Sequence, residues 1–322
     1  MTSSRPPAPA DQLGGSDYHI PVLPTQVLEA FARPTPPSEL TIVDGTAGGG
    51  GHSELLLQQG YRVIALDRDQ DSLAETARRL SSYGDQFTSV HCNFSELDQA
   101  LESLGIAQVD GILADFGVSS HQLDEATRGF SFMREGPLDM RMNQSQPLTA
   151  RDIIETYSQD ELKRIFREYG EEKHAAKIAR CLLEDRGEKT FETTLALADY
   201  IQRLIGKREK IHPATRVFQA LRIETNDELG EIRTLMEKSL TALAPGGRLA
   251  LISFHSLEDR LVKRFMVQHS KETIDRPEWP APRPNPDYKL KTLTRKPLIA
   301  DAAECERNVR SRTAKLRVAE RL

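Results

Sequence analysis

Asp44-Gly45-Thr46-Ala47-Gly48-Gly49-Gly50-Gly51-His52-Ser53 is the stretch that decides the fold. It follows the apolar, β-branched run Thr41-Ile42-Val43 and leads into Ser53 to Gln59, which carries Leu55, Leu56 and Leu57. The order is therefore strand, glycine turn, short helix. Glycine lets the backbone turn tightly and lets a ligand approach where a Cβ would collide. The start of the helix offers free backbone N–H groups to a ligand's polar end. Working outward, Arg62 to Leu66 ends at Asp67, Phe87 to His91 leads into Asn93-Phe94, and Gly111 to Ala114 ends at Asp115. Leu73, Ala77 and Leu80 recur at helical spacing in Ser72 to Leu80. Strands alternating with helices predict a doubly wound α/β domain with a parallel sheet. Such sheets bind ligands at the carboxyl ends of their strands, where these acidic and glycine residues stand.

A different rhythm occupies the middle of the chain. From about Leu148 to Ile223 only helical periodicity is present, beginning with a Ser158/Glu161 capping box before Leu162, Ile165, Phe166 and Tyr169. The α/β pattern then returns with an amphipathic helix over Glu228 to Leu243, a strand over Arg248 to Phe254 and a helix over Leu257 to Met266. Pro277, Pro280, Pro282, Pro284 and Pro286 predict an irregular linker. Ala314 to Ala319 reads as a half-exposed last strand. The expected organisation is a disordered tail over 1–16, an α/β domain formed by 17–123 and 224–322, and a helical insert over 124–223.

Bulk properties narrow the class. A net charge of −5 excludes a uniformly basic coat, so any nucleic-acid contact has to be local. Cys92, Cys181 and Cys305 have neither zinc-site nor disulfide-framework spacing. No apolar run approaches the roughly 18 residues of a membrane span, and no signal-peptide core is present, so a cytoplasmic protein is expected.

Four strand ends together suggest a nucleoside site. Asp67 is placed to accept hydrogen bonds from ribose hydroxyls, Phe94 to stack on adenine, and Asp115 to lie near a reacting centre. A dinucleotide fingerprint needs glycine where Ser53 stands. The loop instead resembles the first methyltransferase motif through Asp44, Gly48 and Gly50, with Thr46 where a glycine is usual. S-adenosylmethionine is thus favoured over a nicotinamide cofactor.

Longer motifs extend the likeness. They include Asp67-Arg68-Asp69, Asp110 to Ser120 (DGILADFGVSS), Arg128-Gly129-Phe130-Ser131-Phe132, Gly136 to Met142 (GPLDMRM), Tyr169-Gly170-Glu171-Glu172, His212-Pro213-Ala214-Thr215-Arg216 and Ile252 to Arg260 (ISFHSLEDR). With Tyr18-His19-Ile20-Pro21-Val22-Leu23 and the glycine loop, they resemble the MraW family of bacterial 16S rRNA cytosine N4-methyltransferases from about residue 18 to 270. The resemblance implies methylation of the exocyclic N4 of a cytidine in the P-site region of 16S rRNA within the small subunit. It further implies that Gly50, Gly51, His52, Asp67, Phe94, Asp115 and Gln122 contact S-adenosylmethionine. Ala47, Gly49 and His121 depart from residues common in the family at those places.

The chemistry asks for an acceptor. The N4 lone pair of cytosine is delocalised into the ring, and a hydrogen-bond acceptor on the amino group favours its nucleophilic form. Asp115 is the candidate; the alternative is that it only holds the amino-acid end of the cofactor or orients a neighbouring loop. Carbon-5 methylation would need a cysteine nucleophile, typically after proline, and no cysteine here follows one. His52, His212 and His255 lack metal-ligand spacing, so no metal is expected.

For substrate, Phe116, Phe130 and Phe132 are expected around a flipped-out base, with His255 shaping the pocket. Arg203, Lys207, Arg208, Lys210, Arg216 and Arg222 form one basic segment expected to meet phosphates. Residues 289–322 form another, with ten Lys or Arg against four Asp or Glu. The competing readings are a DNA amino-methyltransferase and a non-catalytic RNA-binding module of the same fold. No membrane partner is expected, and the chain is either a monomer or a homodimer.

Overall fold

The computed structural model describes residues 20–186, 191–206 and 212–322. The expected tail, Tyr18-His19, Lys207, Arg208 and Lys210 lie outside the described residues. Nine strands are present among those described: β1 Thr41–Asp44, β2 Arg62–Asp67, β3 Phe87–His91, β4 Val109–Asp115, β5 Leu243–Ser253, β6 Thr273–Ile274, β7 Arg283–Pro284, β8 Leu290–Thr292 and β9 Lys315–Arg321. Seven make one sheet in the order β3-β2-β1-β4-β5-β9-β8, with β6 and β7 forming a separate ribbon. β1 to β5 run parallel, and β9 enters antiparallel between β5 and β8.

The side-chain period of two sorts each central strand between two cores. Val43, Ile64, Leu66, Ile112 and Ala114 face the helices Leu97–Ser103, Glu228–Ala242 and Ser256–Ser270. Ile42, Val63, Leu113, Ala250 and Ile252 face Pro24–Phe31 and Gly51–Gln58. With β1 between β2 and β4, the chain crosses opposite ways from neighbouring strands. The crevice at their carboxyl ends is the topological switch point.

A third core lies within the helices Ala150–Thr156, Gln159–Glu168, Ala175–Asp185, Thr194–Ile205 and Ala214–Asn226. Helix Ala214–Asn226 joins this core to the sheet: Leu221 packs in the helical core, Ile223 in the sheet core. The capping box forms as the spacing predicts, with Glu161 N–H donating to Ser158 Oγ (3.3 Å) and Ser158 N–H to Glu161 Oε2 (2.8 Å). Ser158→Ala is therefore expected to lower stability by about 1 kcal/mol in denaturant titration.

Three sequence expectations need correction. β9 is not half-exposed, because it is hydrogen-bonded on both sides and Leu316, Arg317, Val318 and Ala319 are buried. β5 begins at Leu243 rather than Arg248, since Leu243 already pairs with Val109 before a register shift in the ladder. The proline linker is not wholly irregular: Arg283 and Pro284 pair with Ile274 and Thr273.

Candidate active site

The glycine loop is shaped by contacts that leave its cavity side free. Asp44 is fully buried behind it, accepting from Thr46 N–H (3.2 Å) and from the Ser53 hydroxyl (2.7 Å). Burial raises its pKa. Asp44 is thus a loop brace and does not line the cavity. Gly48 (φ +49°) donates its N–H to Asp67 Oδ2 at 2.7 Å. Gly50 (φ +80°) also lies off the cavity wall; a Cβ there would stand 2.9 Å from Thr76. Its role in this structure is the turn itself.

The cavity at the switch point contains about 970 Å³ of space, including its open mouth. Gly48, Gly51, His52, Asp67, Phe94, Asp115, Phe116 and Gln122 all line it. Asp67 closes β2 and also accepts from Asp69 N–H at 2.8 Å. Burial pushes its carboxyl up to about 6, although the two N–H donors pull the other way. Each oxygen accepts one backbone bond, so lone pairs remain for a ligand's hydroxyls.

Phe94 is buried, its ring 5.9 Å from that of Phe116. Asp115 closes β4 and donates its backbone N–H to Thr46 Oγ1 at 2.7 Å. Its Oδ1 is buried and makes no hydrogen bond among the described residues, and Oδ2 stands 3.9 Å from His52 Nδ1. Burial raises the Asp115 pKa; His52 and Arg310 act against that rise. His52 itself is fixed through Nε2, 2.8 Å from the Val22 carbonyl.

Gln122 reaches the cavity wall with both ends of its amide engaged. It donates to Asp69 Oδ2 at 2.8 Å and accepts from Ser119 N–H at 3.1 Å. Asp69 in turn meets Arg128 at 2.8 Å, with both side chains almost fully buried. This pair ties the end of β2 to the segment leading into the helices.

Several expected substrate residues are placed elsewhere. Phe130 is buried in the helical core, and Phe132 packs on His212 and Phe218, each with ring centroids 4.8 Å apart. Neither lines the cavity, because their apolar rings fill the core beneath the loop. Arg222 is held by Glu228 through two bonds of 2.7 and 2.8 Å, and Arg216 lies 3.7 Å from Glu172. In the C-terminal segment Arg317 and Lys315 pair with Asp259. These cations neutralise internal charge, which reduces the surface available for phosphates. His255 sits at the start of helix Ser256–Ser270 with Nε2 3.0 Å from Glu258 Oε1.

Other wall residues were not assigned a role from the sequence, although Val22, Arg68 and Glu258 lie within quoted motifs. Arg310 reaches the cavity from the C-terminal segment, donating to the Val118 carbonyl (2.7 Å) with its guanidinium 5.6 Å from the Phe254 ring. Arg68, Val22, Glu228 and Glu258 also contribute. Only the DRD motif signalled Arg68; nothing local signalled Arg310.

Relatives match the chain over nearly their whole length. The chain is 46% identical over 308 residues to the ribosomal RNA small subunit methyltransferase H of Carboxydothermus hydrogenoformans, covering 94% of this chain and 98% of that one. The protein of that name from Clostridioides difficile is 41% identical over 312 residues, with 95% and 99% covered. Among solved structures, the SAM-dependent O-methyltransferase of Thermotoga maritima aligns over 94% of this chain and 67% of its own, at 10% identity and a TM-score of 0.38. The model of the MraW methylase family matches residues 16–322. With a glycine loop, an acidic β2 end and Asp115 around one cavity, and that match over almost the full length, the chain belongs to the MraW methylase family.

Proposed function

We propose that the chain transfers a methyl group from S-adenosylmethionine to the exocyclic N4 of a cytidine in the P-site region of 16S rRNA, acting on the small ribosomal subunit in the cytoplasm. The observation that carries this reading is Asp115: a half-buried carboxylate on the cavity wall, beside the glycine loop, whose buried Oδ1 makes no hydrogen bond among the described residues. The near full-length relatives named as small-subunit rRNA methyltransferases supply the substrate class.

The residues present fit the cofactor. Asp67 offers acceptors for ribose hydroxyls, Phe94 an apolar face for adenine, and the loop at Gly48 and Gly51 a backbone free of Cβ atoms. His52 and Gln122 complete the wall. When bound, S-adenosylmethionine supplies an electrophilic methyl group on a sulfonium. Asp115 accepts a hydrogen bond from the cytosine amino group, which localises the nitrogen lone pair and receives the proton that N4 loses when its bond to carbon forms. Burial helps, because a carboxylate of raised pKa is the stronger base. Phe116, on the cavity wall, provides an apolar surface for the base. Exposed Lys291, Arg295, Lys296 and Arg312 are left to meet phosphates.

The raised pKa of Asp67 gives a pH prediction. As an ionised acceptor it makes the stronger, charge-assisted bonds to ribose. The dissociation constant for S-adenosylhomocysteine should therefore rise as pH falls through about 6, and Asp67→Asn should flatten that dependence in titration calorimetry. Stability runs the other way. A pKa raised from 3.8 to about 6 contributes stability fully below the unfolded value, and this is lost as pH rises through about 6.

The substrate class is tested by offering labelled S-adenosylmethionine with unmodified small subunits, naked 16S rRNA or duplex DNA. Label is expected in small subunits. Incorporation into duplex DNA alone would favour a DNA amino-methyltransferase, and cofactor binding without transfer to any of them would favour a non-catalytic module.

A further inference from the structure

Beside the cofactor cavity, three side chains from distant parts of the chain converge. Glu228 opens the helix Glu228–Ala242; His255 and Glu258 stand where β5 passes into helix Ser256–Ser270. One donor atom from each lies within 4.8 Å of the others. We propose that Glu228, His255 and Glu258 form a binding site for a divalent transition cation of the Zn²⁺ class.

The separation of two of these donors admits an ion between them. Two donors at about 2.1 Å from one zinc ion, subtending roughly 90–110°, lie about 3.0–3.4 Å apart. His255 Nε2 and Glu258 Oε1 are 3.0 Å apart. Yet His255 Nε2 and Glu258 Oε1 are not aligned for a hydrogen bond with each other, although the His255 side chain also caps the first turn of helix Ser256–Ser270 and its charge acts on Glu258. Glu258 is fully buried, and its other oxygen is occupied by the N–H groups of Phe254 (2.7 Å) and His255 (3.3 Å). An unaligned carboxylate oxygen and imidazole facing each other in the interior are costly to leave unsatisfied, and a cation between them satisfies both.

Arg222 does not fill this role. Its fork takes one hydrogen bond to each oxygen of Glu228, and a carboxylate has about four lone-pair sites. Both glutamates line the cofactor cavity, so coordination positions not filled by protein open onto it. Nitrogen and carboxylate donors together suit Zn²⁺, with Mn²⁺ bound more weakly.

The test is calorimetric titration of ZnCl₂ into the full chain after chelator treatment and dialysis. One ion per chain is expected, with Mn²⁺ weaker. His255→Ala and Glu258→Gln should each weaken zinc binding by about a hundredfold or more, beyond the 10–100-fold typical of outer-shell changes. His255→Cys, which restores a zinc ligand, should recover binding, and His212→Ala should leave it unchanged. Thermal melts identify any variant that fails to fold, and the His255→Ala and His255→Cys pair then decides. Absence of stoichiometric zinc binding to the unsubstituted chain overturns the proposal and leaves an ion pair. So does binding that survives both His255→Ala and Glu258→Gln.

Discussion

Asp115→Asn is expected to lower kcat by about a hundredfold or more while leaving the dissociation constant for S-adenosylhomocysteine within about twofold, as positioned acid–base groups contribute about 10²–10⁴. The substitution keeps shape and one acceptor but removes the charge and the basicity. Thr46 continues to hold the backbone N–H of residue 115, so the end of β4 stays in place. Single-turnover methyl transfer and calorimetry separate the two effects. A fall in cofactor affinity with kcat unchanged would instead make Asp115 an anchor for the amino-acid end of the cofactor.

Arg128→Ala is expected to cost about 3–5 kcal/mol of folding stability, the range for removing one partner of a buried pair. Arg128 and Asp69 are 4% and 3% exposed, so water screens little of their interaction. Arg128 also donates to the carbonyls of Arg141 and Met142 at 3.1 and 2.9 Å. The loss would remove a donor from both carbonyls and leave the buried Asp69 carboxylate without its counter-charge. Because Asp69 also orients Gln122 at the cavity wall, cofactor affinity should fall together with stability. Denaturant titration with and without S-adenosylhomocysteine measures both; a change below about 1 kcal/mol would show that the pair is dispensable.

The local part of this site was readable from the sequence. Glycine turns and acidic strand ends are neighbours along the chain, so Gly48, Gly51, Asp67 and Asp115 were each visible beside a β-branched run. Asp44 carried the motif but turned inward, because a carboxylate preceding a tight loop can satisfy the loop's own N–H and hydroxyl donors. Phe130 and Phe132 misled for a related reason: aromatic residues near a site serve equally well as core, and sequence does not say which way a ring faces. Basic residues such as Arg222 and Arg317 counted as surface charge although Glu228 and the half-buried Asp259 claim them. What depends on chain return was illegible. Arg310 reaches Val118 across 192 residues, and Glu228 meets His255 and Glu258 only through helix packing. Spacing between histidines could not reveal a cluster built from two glutamates and one histidine.

The most direct test of the central claim is the identity of the modified nucleoside. Small subunits lacking the modification are incubated with the chain and labelled S-adenosylmethionine, and the rRNA is digested and mapped by mass spectrometry. N4-methylcytidine at one P-site position is the predicted product. A methyl group on carbon 5, on a ribose hydroxyl or on another base would contradict the assignment of Asp115 as acceptor for an exocyclic amine.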